Sequence, residues 1–411
     1  MMRGMKGLRW LLAALAFLLI GCGRELEQDD GVVQIDFWNG FSGPDGAMME
    51  KIVRRFNESH PQYRVKMQII PWGQYYDKLT LGLAFGGAPE IFILHVNRFP
   101  EFASHNALSP LDGLMEPDDF VPRVWDTTFW EGRQYAIPLD CHPIGLYYNV
   151  DLFEKEGILA PPATLEEFLE AAKRLTKDTN GDGRIDQWGF SFTWLRSNSY
   201  TFFNQFGTSL LTDDLTRSAL SQAGAAQAIQ LMLDLIHRYR VAPPPEGQDA
   251  WMGFQTGKVA MALEGVYMML GLEQQKGLRY AAAPVPQFGP KKAAWGGSHL
   301  MCLPRGLEGK RLEAAQAFMR YLSDHSLDWA KGGQVPVRLS LLESREFQSL
   351  RVQREFAKQL PYVVYEPPSV MFNQVAAFGD AAVEAAVNGL RPPKEALAEA
   401  SRRIDDILMR Q

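Results

Sequence analysis

The chain has 411 residues, 46% hydrophobic and 22% charged, with a formal net charge of −6. That length exceeds one ordinary core and predicts two to three domains. Mixed charge argues against disorder, and no basic cluster interleaved with aromatics points to a nucleic-acid binder.

Residues 1–21 read as a leader outside the fold. Arg3, Lys6 and Arg9 form a basic start, and the apolar run 10–20 is too short for a stable bilayer anchor. The run ends in Leu19-Ile20-Gly21-Cys22, which resembles the lipobox of bacterial lipoproteins and implies lipidation at Cys22. An ordinary signal peptide ending near a cysteine is the alternative. Removing 1–21 takes away three cations and no anions, so the formal charge moves from −6 to −9. A mildly acidic exported protein suits neutral small ligands better than phosphate polymers. Residues 22–30 read as a polar tether.

From residue 32 the chain alternates apolar and polar, predicting a strand that ends in Trp38-Asn39-Gly40. Helix 48–57, strand 63–70, helix 77–85 and strand 90–94 follow, and Gly86-Gly87-Ala88-Pro89 stops the second helix. This alternation predicts a largely parallel sheet with helices on both sides. Gly132, Tyr135 and Pro138 mark a short strand. It runs through a polar junction at 140–142 into an aromatic strand ending Tyr147-Tyr148-Asn149, then Val150-Asp151-Leu152-Phe153. Such a Pro-punctuated passage between two apolar strands reads as an interdomain crossing, where ligand clefts form. Pro161-Pro162-Ala163-Thr164-Leu165-Glu166-Glu167 opens a helix capped by Thr164, with Glu167 at the capping-box position.

Asp178, Asn180, Asp182 and Asp186 carry the oxygens of a calcium loop, but Gly189 stands where a bidentate carboxylate is needed. The polar turn held by its own hydrogen bonds is the preferred reading, and no metal is expected. Alternation at 190, 192 and 194 suggests a strand whose end reaches the cleft, and 223–239 reads as an amphipathic helix. The stretch 253–265 contains Phe254, Gly257, Val259, Ala260, Met261 and Gly265, followed by Tyr267. Crossings are expected near 139–143, 280–286 and 333–338, and helices at 312–322, 344–358, 371–388 and 394–409. Cys141 and Cys302 read as buried free thiols, although an exported protein permits a disulfide.

The motifs at 132–138, 147–153, 161–167 and 253–265 together resemble the extracellular solute-binding proteins of sugar ABC transporters, the maltose-binding-protein group. The resemblance implies an α/β, two-lobed periplasmic-binding-protein type II fold. Each lobe would be a mixed sheet flanked by helices, with three hinge crossings. It places an N-lobe in 31–140 and 283–334 and a C-lobe in 141–282 and 335–411. It also implies a carbohydrate ligand, a membrane permease as partner, anchoring through Cys22 outside the cytoplasmic membrane, a monomer, and no cofactor.

Sugars need flat aromatic rings for their C–H faces and carboxylates, amides or guanidinium groups for their hydroxyls. Candidate ligand contacts are therefore Trp38, Asn39, Trp72, Trp194, Trp251, Tyr267, Trp295, Glu264 and Arg338, and the resemblance implies Gly296 and Gly297 as well, through a glycine pair whose backbone approaches ligand in that family. Asp140 is either a cleft contact or a structural turn carboxylate. His95 ends a strand at the edge where open α/β sheets bind ligands, whereas His142 reads as a plain loop histidine. No GxSxG, HExxH or phosphate loop is present. Ser298 and His299, adjacent in a strand, point to opposite faces and cannot pair. The alternatives are a binder of a glycerol phosphodiester or peptide, or a secreted carbohydrate-active hydrolase.

Overall fold

The structure, a computed structural model, describes residues 31–247 and 249–410. The leader, Cys22 and the tether lie outside the described residues. Among those described, no helix is long and apolar enough to cross a membrane.

Val33–Asn39 (β1) turns Ile35 and Phe37 into a core and leads into Pro44–Ser59 (α1). Proline at the first helical position lacks only an N–H that would have no partner there. Met49, Ile52, Val53 and Phe56 recur at helical spacing and are buried. Tyr63–Ile69 (β2) pairs parallel to β1. Trp72–Phe85 (α2) ends at Gly86, whose φ of +81° forms the left-handed cap that glycine tolerates. Ile91–His95 (β3) and Ile137–Pro138 (β4) follow, and Asp140–Asn149 (β5) continues into a second sheet.

The second lobe begins with Leu165–Leu175 (α3). Thr164 Oγ1 accepts the Glu167 N–H, and Glu167 Oε2 accepts the Thr164 N–H, the reciprocal cap expected from the sequence. Such a cap contributes about 1 kcal/mol. Trp188–Ser191 (β6) is shorter than its aromatic alternation suggested. Leu195–Gln205 (α4) takes over at once and buries Phe202 and Phe203. Ala223–Leu233 (α5) runs into a π-helical turn at Asp234–Arg238. Val259–Gly265 (β7), Tyr280–Ala283 (β8) and Ala294–Gly297 (β9) complete this part. His299–Cys302 (β10) and Gly309–Asp324 (α6) belong to the first lobe, with Phe318 of α6 edge-on to Phe37 at 5.3 Å. Val335–Pro336 (β11), Arg351–Ala357 (α7), Val363–Val364 (β12), Phe372–Val387 (α8) and Pro393–Leu408 (α9) close the described chain.

The first sheet has the order β2-β1-β3-β10-β4 and the second β12-β9-β5-β7-β6, with β8 and β11 also on β5. This is the expected two-lobed mixed α/β architecture. The chain crosses at Leu139, between β4 and β5, and β11 pairs with Asp140 and Cys141 at the same junction. The second crossing departs from expectation. Residues 280–286 do not leave the second lobe: Ala283 pairs with Leu146, and Gly296 and Gly297 still pair with Pro143 and His142. The passage falls at Ser298. The prolines at 284 and 286 mark a loop held by the Gln205 amide, which donates to Pro286 O and Ala293 O. Cys141 and Cys302 are both free and buried.

The calcium-type loop is closed on itself. Asp178 accepts from the N–H groups of Gly181, Asp182 and Gly183, and Asp186 accepts from the N–H and hydroxyl of Thr179. At the twelfth position a Cβ on Gly189 would stand 2.1 Å from the Ala172 carbonyl oxygen, so no carboxylate side chain fits. Glycine there lets β6 lie against α3. Gly189→Ala is expected to cost about 2–3 kcal/mol, read as a lower urea midpoint. Gly271→Ala, with open space around its Cβ, should change it little. Equal midpoints for both variants would refute the close-approach argument.

Candidate functional site

A cavity of about 590 Å³ lies between the lobes. From the first lobe it receives the turn after β1 (Gly40, Ser42, Gly43, Asp45), Trp72 and Tyr76 of α2, and the end of β3 (His95, Asn97, Arg98). From the second it receives His142, Trp194, Arg196, Tyr267, Trp295, Gly297, Glu366 and Asn373. Trp72 and Tyr76 are four apart on a helix and therefore share a face. The Trp72 ring centre is 4.2 Å from that of His95, and Trp194 meets Trp295 edge-on at 4.9 Å. Two glycines make room for these walls. A Cβ on Gly40 would stand 2.2 Å from the Trp72 ring, and one on Gly265 2.2 Å from the Tyr267 ring.

Beneath the cavity lies a buried polar cluster centred on Asp140. Its Oδ1 is 3.1 Å from His142 Nδ1 and accepts the His299 backbone N–H at 3.0 Å. Its Oδ2 is 2.7 Å from His299 Nδ1 and accepts the Trp329 Nε1–H at 2.6 Å. Burial alone would raise this carboxyl, but His299 and His142 beside it outweigh that and hold it below the usual carboxylate range. An ionised carboxylate only accepts, so both rings present Nδ1–H to it. Strand register assembles the cluster: His299 on β10 faces His95 on β3, and Gly297 on β9 faces His142 on β5. The Tyr76 hydroxyl lies 2.6 Å from His95 Nδ1. Burial, with neighbouring imidazoles adding to it, lowers His95 and His142, so both favour the neutral ring.

Of the residues expected from the sequence, Trp72, His95, Trp194, Tyr267, Trp295 and Gly297 line the cavity, and the rest stand elsewhere. Trp38 packs in the first-lobe core under the Lys78 ammonium. Asn39 Oδ1 accepts the Phe41 N–H and shapes the Gly40 turn. Asp140 sits behind the histidines, fully buried. Trp251 stacks on Phe254 at 5.5 Å. Glu264 accepts from the Thr193 hydroxyl at 3.1 Å. Gly296 faces Val363. Arg338 pairs with Asp119 and Asp324 outside the cleft. His142, read as a loop histidine, is instead a strand residue of the cavity floor. Tyr76, Arg98, Arg196, His299, Glu366 and Asn373 were not singled out as ligand contacts. The i, i+4 spacing of Trp72 and Tyr76 was the one available signal.

Two buried glutamates have a pH consequence. Burial pushes the Glu366 carboxyl up to about 7, against the nearby Trp295 N–H and Arg196. Burial likewise pushes Glu264 up to about 7, against the Thr193 hydroxyl and the Gly265 N–H. Both lie above the ordinary 4.5, so the folded state binds protons that the unfolded chain releases. Stability therefore falls as pH rises from about 4.5 to about 7, by about 3 kcal/mol per group. Calorimetric melting should show a steeper loss between pH 5 and pH 8 in the natural chain than in the Glu264→Gln/Glu366→Gln variant. Parallel curves would contradict this.

Two lobes joined by three crossings, with an aromatic cavity between them, define a two-lobed small-molecule-binding protein. The chain belongs to the bacterial extracellular solute-binding proteins, whose family model matches residues 41–326. This is a family of ABC solute-binding proteins, not of catalysts. A putative binding protein of Brucella abortus is 25% identical over 97% of this chain and 97% of its own length. The arabinooligosaccharide-binding protein of Halalkalibacterium halodurans is 26% identical over 66% of this chain and 63% of its own. The solved cyclic alpha-maltosyl-1,6-maltose binding protein of Arthrobacter globiformis superposes with a TM-score of 0.79 at 22% identity, covering 93% of this chain and 100% of that one.

Proposed function

We propose that the protein is the substrate-capturing component of a carbohydrate ABC importer, holding a sugar or oligosaccharide between its lobes and delivering it to a membrane permease. The observation that carries this reading is the cavity's construction. Indole and phenol rings stand on both lobes, and polar groups converge between them. Rings on opposite lobes suit the two C–H faces of a sugar, and the polar groups suit its hydroxyls. A ligand touching both lobes stabilises the closed arrangement by its differential affinity. The names of the arabinooligosaccharide- and maltosyl-maltose-binding relatives support this ligand class. A phosphodiester fits less well, because the cationic groups are already paired: Arg98 with Glu101, Arg196 with Asp380.

Calorimetric titration of residues 24–411, stripped of co-purified ligand, with mono-, di- and oligosaccharides tests this. Saturable binding of one sugar class, recovered intact, is expected. Binding only of phosphodiesters or peptides would overturn the ligand class, and recovery of a cleaved sugar would overturn the binding role. The reading includes a monomer tethered through Cys22 on the outer side of the cytoplasmic membrane. Cys22→Ser should then move the protein from the detergent to the aqueous phase on Triton X-114 partitioning, and unchanged partitioning would remove the anchor.

A further inference from the structure

We propose that the ligand carries a basic nitrogen and that Glu366 is the specificity-determining residue that receives its ammonium group, so that the class of ligand taken is an amino sugar or an oligosaccharide containing one. The inference deepens the carbohydrate reading and rests on it. Glu366 follows β12 and enters Pro367-Pro368 ahead of α8. A residue before proline is biased to extended backbone, so this segment has little freedom to swing the side chain away. Glu366 is only 5% exposed, yet it lines the interlobe cavity. Neither carboxyl oxygen accepts a hydrogen bond of ordinary geometry from a described residue, and neither is among the polar atoms sealed off without a partner. Trp295 Nε1–H lies nearby but is itself without a partner. The carboxyl group is thus buried, unpartnered and reachable from the cavity.

The charges around it do not cancel. Arg196 is engaged by Asp380, its Nε donating to Oδ2 at 2.7 Å, and Arg98 on the other lobe pairs with Glu101 at 2.9 Å. Among the described residues no lysine, arginine or histidine forms an ion pair with Glu366, so Glu366 and Asp380 share the field of one guanidinium. The Tyr200 and Tyr267 hydroxyls also feel the Glu366 carboxyl, and burial keeps both phenols neutral. Asp45, on the first-lobe wall, is a further carboxylate without an ion pair, with His299 the titratable group beside it. A sugar hydroxyl would donate to Glu366 but leave its charge uncancelled when closing lobes exclude water, which is costly. An ammonium cancels that charge and makes charge-assisted hydrogen bonds. Indole and phenol rings, here Trp194, Trp295 and Tyr267 of the same wall, attract cations at their faces. With no ligand bound, burial pushes the carboxyl up to about 7, so at neutral pH it is partly protonated. Docking of an ammonium ionises it, and the proton leaves to the buffer.

The test is calorimetric titration of the ligand-stripped protein with glucosamine, N-acetylglucosamine and glucose, each as the monosaccharide and as β-1,4-linked di- and trisaccharides, and with galactosamine against galactose. The amine-bearing member of a matched set is expected to bind about 10- to 100-fold tighter than its N-acetylated or neutral counterpart, the range of one charge-assisted hydrogen bond. Repeating the titration in buffers of different ionisation enthalpy should show proton release at pH 7, and the preference for the amine should shrink toward pH 5. Glu366→Gln, which keeps the shape and removes the charge, should abolish the preference, the proton release and the pH dependence together. Glu264→Gln, a buried carboxyl outside the cavity wall, should leave all three unchanged, with melting curves checking that both variants are folded. Equal affinity for amine-bearing and neutral sugars, or a preference that survives Glu366→Gln, would overturn the proposal. Binding of neutral sugars with no amine preference refutes this inference alone. Glu366-dependent binding of simple amines such as choline or putrescine, with no saccharide bound, refutes the carbohydrate reading and keeps the ammonium site.

Discussion

Replacing Asp140 by alanine is expected to destabilise the protein by about 3–5 kcal/mol. The carboxylate has no exposed surface and holds four N–H donors, from His142, His299 and Trp329. Its removal leaves those donors buried without acceptors, which costs more than the net value of the lost bonds. The residue also stands where the lobes join. Its backbone carbonyl accepts the Ser298 hydroxyl at the second crossing, and Pro336 of the third crossing pairs beside it. For a chain of this size the melting temperature should fall by about 4–6 °C. Urea unfolding checks this, and a loss below about 1 kcal/mol would mean that water replaces the carboxylate.

Trp72→Ala should weaken carbohydrate binding roughly 30-fold, about 2 kcal/mol, as expected for a buried aromatic anchor. The ring is braced by Phe41, Tyr75 and His95, and the stability of the free protein should change less than its affinity. Gly40→Ala supplies an independent check, because its methyl group would occupy the space of the Trp72 ring while leaving the indole in the molecule. Both variants should lose affinity in calorimetry, with Gly40→Ala the smaller loss. Unchanged affinity in both would take Trp72 out of the ligand surface.

The two arguments draw on information of different kinds. Trp72 was visible in the chain, as an indole after a proline at the end of a predicted strand. The importance of Asp140 was visible only as a polar residue at a crossing, with two readings open. Trp251 and Trp38 show the limit of counting aromatics. Each sits at an element boundary as Trp72 does, yet one stacks on Phe254 and the other fills the first-lobe core. Nothing in local sequence separates a boundary tryptophan that meets a neighbour from one that meets the cleft.

Helix α4 at Leu195–Gln205 was not legible in the sequence, which by itself determined the strand–helix alternation of residues 33–95, the Thr164 cap, the first and third crossings and the family resemblance. All of these rest on contacts close along the chain: alternation, helical spacing, a hydroxyl three residues from its N–H. Only the tertiary structure decided which residues share the cleft. It moved the second crossing to Ser298, turned Arg338 away to Asp119, and brought His95, His142 and His299 together. Those outcomes depend on strand register between segments as far apart as residues 95 and 299. A slip of one residue would send each side chain to the opposite face, and such long-range pairing leaves no periodic trace in the chain.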